Sequence, residues 1–138
     1  TRLAQYRTRL SGPLLDRIDL HVDVAPVRYR DRSAEPAGET SKVVRARVLA
    51  ARERQRFRFA ASTTTCNAEM SGRELRRFAR PDPAGATILE RTMSRLGLSA
   101  RAYTRVLKVA RTIADLDAAE NLGAPHVAEA VQYRSLDR

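Results

Sequence analysis

Ser99-Ala-Arg-Ala-Tyr-Thr-Arg-Val-Leu-Lys-Val-Ala-Arg-Thr-Ile-Ala-Asp-Leu116 is the stretch that decides the fold. Ser99 is an N-cap residue type placed just before an apolar-periodic run. Tyr103, Val106, Leu107, Ala110, Ile113 and Ala114 then recur at i, i+3, i+4 and i+7, which is the stripe of an amphipathic helix. Arg101, Arg105, Lys108 and Thr112 share the opposite face. A helix striped in this way needs other helices to cover it.

Working outward, the neighbouring stretches are punctuated as helices too. Asp82-Pro83 is a cap followed by an N1 proline, opening a helix through Leu96 that Gly97 stops. Ser71-Gly-Arg-Glu74 is a capping box that opens a short helix to about Ala79. Downstream, Gly123-Ala124-Pro125 opens a last helix with Val127, Ala130 and Val131 as its apolar positions. Upstream of a Ser/Thr-rich break at 60–66, a helix is predicted from Thr40 or Ser41 to about Phe59, with Val44, Val48 and Ala51 as one stripe. The fold class is therefore all-α, a helical bundle over 40–138 joined by short loops.

The first forty residues read differently. Ser11-Gly12-Pro13 starts a short helix through Ile18. Leu20, Val22 and Val24 then alternate with His21 and Asp23, which predicts a strand over about 19–25, stopped by Pro26. One strand is not stable alone, so its sheet is expected outside this stretch, and 1–37 is expected to be less ordered than the bundle. Residues 28–39, polar with Pro and Gly, are a predicted linker.

The chain has 138 residues, 26 Lys+Arg against 16 Asp+Glu, and a formal net charge of +10. Only Lys42 and Lys108 are lysines. The Arg excess fits either a GC-rich genome or a need for guanidinium forks, whereas the net charge points to a polyanion or an acidic protein surface. No stretch approaches 18 consecutive apolar residues, which excludes a membrane-spanning helix. There is no initiator Met and no visible signal peptide, as expected of a piece of a longer protein. The single cysteine, Cys66, excludes an internal disulfide and fits a reducing, cytoplasmic compartment. His21, His126 and Cys66 do not make an ordinary zinc site. His21 is expected at the surface and His126 as a capping residue.

No phosphate-cradling Gly-Lys-Ser/Thr is present, since neither lysine follows a glycine, so an autonomous active site is not expected. Three candidates remain. Arg45, Arg52 and Arg56 stand on the Arg-rich helix, which either tracks nucleic-acid phosphates or is a solvated face. Arg101 places a cation in the first turn of its helix, at the positive end of the dipole, which an anion bound there would explain. Arg17 is set between Leu14-Leu15 and Ile18, held either for a distant anion or as the local partner of Asp16 or Asp19.

These residues resemble a known family. The run Arg9-Leu-Ser-Gly-Pro-Leu-Leu-Asp-Arg-Ile-Asp-Leu-His-Val22 is similar to the end of the ATPase core in magnesium-chelatase-like AAA+ ATPases of the YifB/ComM subfamily. Leu98–Leu116 resembles that family's lid helix, and Ala128–Arg138 its C-terminal phrase. The resemblance implies that 1–27 is the end of the AAA+ core, 28–39 a linker and 40–138 the helical lid. It implies Arg17 as an arginine finger acting in trans and Arg101 as the second sensor on an ATP phosphate. It implies ATP and Mg in the full-length protein, with none bound by this stretch alone. Its implied partners are the protein's own upstream ATPase core, further copies in a homo-oligomer, a hexamer, and DNA, with no membrane. The activity implied for the ComM group is DNA branch migration by a helicase in natural transformation. The alternative is a magnesium-chelatase-type ATPase module for metal insertion into a porphyrin, without DNA.

Overall fold

The computed structural model describes residues 14, 17–25 and 38–134. Among them five α-helices form: α1 (Ser41–Arg58), α2 (Gly72–Phe78), α3 (Pro83–Leu96), α4 (Ala100–Leu116) and α5 (Ala124–Gln132). A 3-10 turn at Asn67–Glu69 lies between α1 and α2. The start of the predicted N-terminal helix at 11–13, most of the 28–39 linker and the last four residues lie outside the described residues.

The helix starts form as their residue types dictate. Ser99 Oγ accepts the Ala102 N–H (3.1 Å), Asp82 Oδ1 accepts that of Gly85 (2.6 Å), and Ser71 with Glu74 closes a capping box. At α5 the cap is reversed: Gly123 has no side chain, and its own N–H donates to His126 Nδ1 (3.0 Å). Gly97 ends α3 at φ 61°, the left-handed conformation that glycine adopts without steric cost.

The core joins Val106, Leu107, Ala110 and Ala114 of α4 to Leu89, Val127 and Ala130. α5 packs against both α3 and α4. The Asp82 N–H donates to Leu122 O (2.9 Å), tying the loop before α3 to the loop before α5. At the far edge Phe59 and Phe78 meet edge to face, centroids 5.7 Å apart.

Three expectations are corrected. The strand at 19–25 does not form, and among the described residues there is no strand. No neighbouring strand offers its backbone a ladder, so the His21 N–H donates to Tyr133 O instead (2.8 Å). The alternation is also turned over: His21 is buried, not at the surface, while Leu20, Val22 and Val24 are exposed. Finally, the α1 stripe is only half covered. Ala51 and Gln55 are buried, but Val44 and Val48, in line with them, are exposed because 41–50 run on past the edge of the bundle.

Candidate functional site

Of the four residues on the polar face of α4, three are held by the protein itself. Arg105 forms an ion pair with Asp19. The Lys108 ammonium donates to Ala68 O (2.7 Å). Thr112 donates to Lys108 O (2.9 Å) and accepts from Asn67 Nδ2 (3.1 Å). Arg101 is different: it is exposed, and its guanidinium meets no partner among the described residues. It stands in the first turn of α4, where no acidic residue offsets its charge.

Arg17, near Arg101's helix through Asp19, is in the same condition. It is exposed, its backbone N–H donates to Leu14 O (3.0 Å), and its guanidinium has no partner among the described residues. Asp19, one of the two local partners weighed from the sequence, is taken by Arg105, while Asp16 lies outside the described residues. The Asp19–Arg105 pair thus joins the segment that carries Arg17 to α4, one helical turn beyond Arg101.

Arg45, Arg52 and Arg56 share the face of α1 turned away from Ala51 and Gln55, and all three are exposed. Arg56 pairs with Glu53 (3.3 Å), and the charge of Arg52 reaches Glu69. Exposed Leu49 sits on the same face.

The sequence does not foretell a buried carboxylate network that ties α1 to α4. Asp115 is fully buried and holds two guanidinium groups, Arg58 from α1 and Arg111 (3.0 Å) from its own helix. Arg58 Nη1 donates both to Asp115 Oδ2 (2.7 Å) and to Asn67 Oδ1 (2.8 Å), and Asn67 Nδ2 adds a bond to Asp115 (2.8 Å). Arg111 also donates to the carbonyls of Ala119 (2.7 Å) and Glu120 (2.9 Å) beyond the end of α4. Burial alone raises the Asp115 pKa, but the Arg58 and Asn67 hydrogen bonds and the Arg111 charge outweigh it and hold the carboxyl below its ordinary value. Burial lowers the Arg111 pKa, against the pull of Asp115. The only sequence signal was the i, i+4 spacing of Arg111 and Asp115, which ordinarily marks a solvent-facing pair.

Above this network lies an open cleft of about 1070 Å³, with Arg54, Phe57 and Arg77 on its walls. Arg77 lies over the Phe78 ring, 4.8 Å from its centroid. Among the described residues no group of three His, Cys, Asp or Glu side chains is placed to hold a metal ion, and no helix is long and apolar enough to cross a membrane.

Comparison with known proteins agrees with this architecture. The family described as magnesium chelatase, subunit ChlI C-terminal, matches residues 38–134, and that described as magnesium chelatase, subunit ChlI, matches residues 1–32. The chain is 44% identical over 136 residues to the uncharacterized protein YifB of Escherichia coli (strain K12), which covers 97% of this chain and 26% of that protein. It is 41% identical over 138 residues to the competence protein ComM of Haemophilus influenzae, which covers 99% of this chain and 26% of that protein. The chain spans about a quarter of the length of these relatives. With its helical C-terminal region matched from end to end, this chain belongs to the magnesium chelatase ChlI family, in the company of YifB and ComM.

Proposed function

We propose that this chain is the helical lid, with the end of the ATPase core attached, of an oligomeric ATP-driven machine. In this reading 1–27 belong to the core, 28–39 link it to the lid, and 40–138 form the lid. Arg101 reaches a phosphate of the nucleotide held by its own subunit. Arg17 reaches the nucleotide of the neighbouring subunit in a ring, a hexamer. The observation that carries the reading is that these two arginines are exposed and meet no partner among the described residues, while Arg105 and Lys108 beside them are engaged. A guanidinium fork fits two phosphate oxygens, and charge building on a transferred phosphoryl group is what such a cation stabilises. Bound ATP with Mg supplies the phosphoryl group. The Mg ligands and the phosphate-cradling lysine belong to the rest of the protein. Leu20, Val22 and Val24, left facing solvent, support a sheet contributed by that core.

The finer reading is a cytoplasmic DNA-remodelling motor of the ComM kind, with Arg45, Arg52 and Arg56 on α1 as phosphate contacts. Their common exposed face supports it, as does the competence protein among the relatives. The family's description as magnesium chelatase favours a second reading, an ATPase module that drives magnesium insertion into a porphyrin without DNA.

The test mixes two inactive full-length proteins, Arg17→Ala and a variant lacking the phosphate-loop lysine, and measures turnover with and without branched DNA. Mixed rings contain interfaces where an intact loop meets an intact finger, so activity is expected to return. Full turnover by Arg17→Ala alone contradicts the finger. Stimulation by branched DNA that Arg45→Ala/Arg52→Ala/Arg56→Ala abolishes supports the DNA reading. Indifference to DNA favours the metal-insertion reading.

A further inference from the structure

Residues 18–21 are fastened to the bundle by groups far along the chain. Arg134 Nη1 donates to the Ile18 carbonyl (2.6 Å), Arg105 pairs with Asp19, and the His21 N–H donates to Tyr133 O (2.8 Å). Two of these anchors lie just past the end of α5 and the third on the second turn of α4. Arg134 is 1% exposed. A buried guanidinium is costly unless its N–H groups find acceptors, so this one is committed to the interior. Its grip is on a main-chain carbonyl, which fixes the path of the backbone whatever side chain stands at position 18. Arg17 lies one residue before that carbonyl and two before Asp19. Its long side chain is therefore anchored at its root, while its guanidinium has no partner among the described residues.

We propose that Arg105 and Arg134 are positioning residues for Arg17. They fasten its segment, the end of the core, to α4 and α5, so that the position of the finger is coupled to the helix that bears Arg101. The inference rests on the reading of Arg17 as a finger in trans. It makes one helix answer to two nucleotides, that of its own subunit through Arg101 and that of the neighbour through Arg17. It also separates positioning from binding. A finger acts on the transition state, so loosening its root lowers kcat and leaves the KM for ATP unchanged. A displacement of 1 Å at a reacting centre costs about 10²-fold in rate.

The experiment measures steady-state ATPase kinetics and thermal midpoints of the assembled full-length protein. Its variants are Asp19→Arg, Asp19→Arg with Arg105→Asp, and Arg17→Ala. Asp19→Arg is expected to lower kcat by about 10²-fold at unchanged KM and midpoint. Adding Arg105→Asp re-forms the pair in reverse and is expected to restore most of the turnover. If Arg17→Ala is inactive while Asp19→Arg turns over normally, the positioning role is overturned and the finger reading stands. If Arg17→Ala is fully active, the finger reading falls and this inference falls with it. A reversed pair that restores no turnover, or a loss of rate that follows a fall in midpoint, also overturns the positioning role and assigns the contacts to the fold alone.

Discussion

A carboxylate with no exposed surface stays charged only when donors fill its oxygens, and Asp115 is filled by Arg58, Asn67 and Arg111. The arrangement spans α1, the 3-10 turn and α4, and through Arg111 it reaches the loop at 119–120. Removing the anion alone leaves Arg111, 3% exposed at its side chain, and the half-buried Arg58 without their counter-charge. Asp115→Ala is therefore expected to destabilise the bundle by about 3–5 kcal/mol, the range for breaking one partner out of a buried pair. Urea unfolding of the variant checks this, and a loss below about 1 kcal/mol, the worth of an exposed pair, would refute it. At this scale the sequence was silent. Asp115 falls on the side of α4 that the apolar stripe leaves out, and it is the packing of α1 and the 3-10 turn across that side that buries it. Arg17 and Arg101 were legible as odd placements of charge. Their lack of partners among the described residues was not, because Asp19 is as near in sequence to Arg17 as a local partner needs to be.

Helix ends were the most legible elements, since Ser71, Asp82, Gly97 and Ser99 each act within one turn of themselves. α4, like α3, ends on a left-handed residue, but here it is not the expected glycine. The Ala119 N–H donates to Ala114 O (2.8 Å) and the Ala118 N–H to Asp115 O (3.2 Å), with Ala118 itself left-handed at φ 59°. An L side chain in that conformation costs about 1–2 kcal/mol. Ala118 is exposed, so its methyl group contributes no packing in return. Ala118→Gly is expected to stabilise the protein by about 0.5–1 kcal/mol, the relief of strain less the greater freedom that glycine gives the unfolded chain. A thermal midpoint that fails to rise would show that the Arg111 bonds to Ala119 and Glu120 already hold the turn against its strain. Where an element depends on distant partners, sequence reading failed. The 19–25 alternation asks for a sheet that the described residues do not offer, and Val44 and Val48 repeat the period of Ala51 without its cover.

For the molecule as a whole, a charge of +10 makes acid the weak side of its stability. Several carboxylates are held ionised by the fold. Glu74 is pushed down to about 2, first by the Ser71 N–H, then by the Ser71, Ser62 and Thr64 hydroxyls. Thr65 lowers Glu69, the Arg47 hydrogen bond lowers Glu39, and Asp115 is lowered despite its burial. A carboxylate depressed in the folded state binds fewer protons there than in the unfolded chain. Between the two pKa values stability therefore rises with pH. The stabilisation is complete above the ordinary carboxylate value of 4.5 and is lost as pH falls toward 2 for Glu74. Protonation also adds to a net charge that is already positive and repels itself. The urea midpoint is therefore expected to be flat from pH 8 to about 5 and to fall steadily below 4.5. Glu74→Gln isolates one share of that fall, because it removes both the titration and the anion that the Ser71 cap holds. The variant is expected to be less stable at pH 7 and to lose stability less steeply toward pH 2, so that the two curves converge in acid. Side-chain carbon NMR of Glu74 gives the direct check. A carboxyl that titrates near 4.5 would remove the capping box from the acid limb and leave Asp115 as the main group behind it.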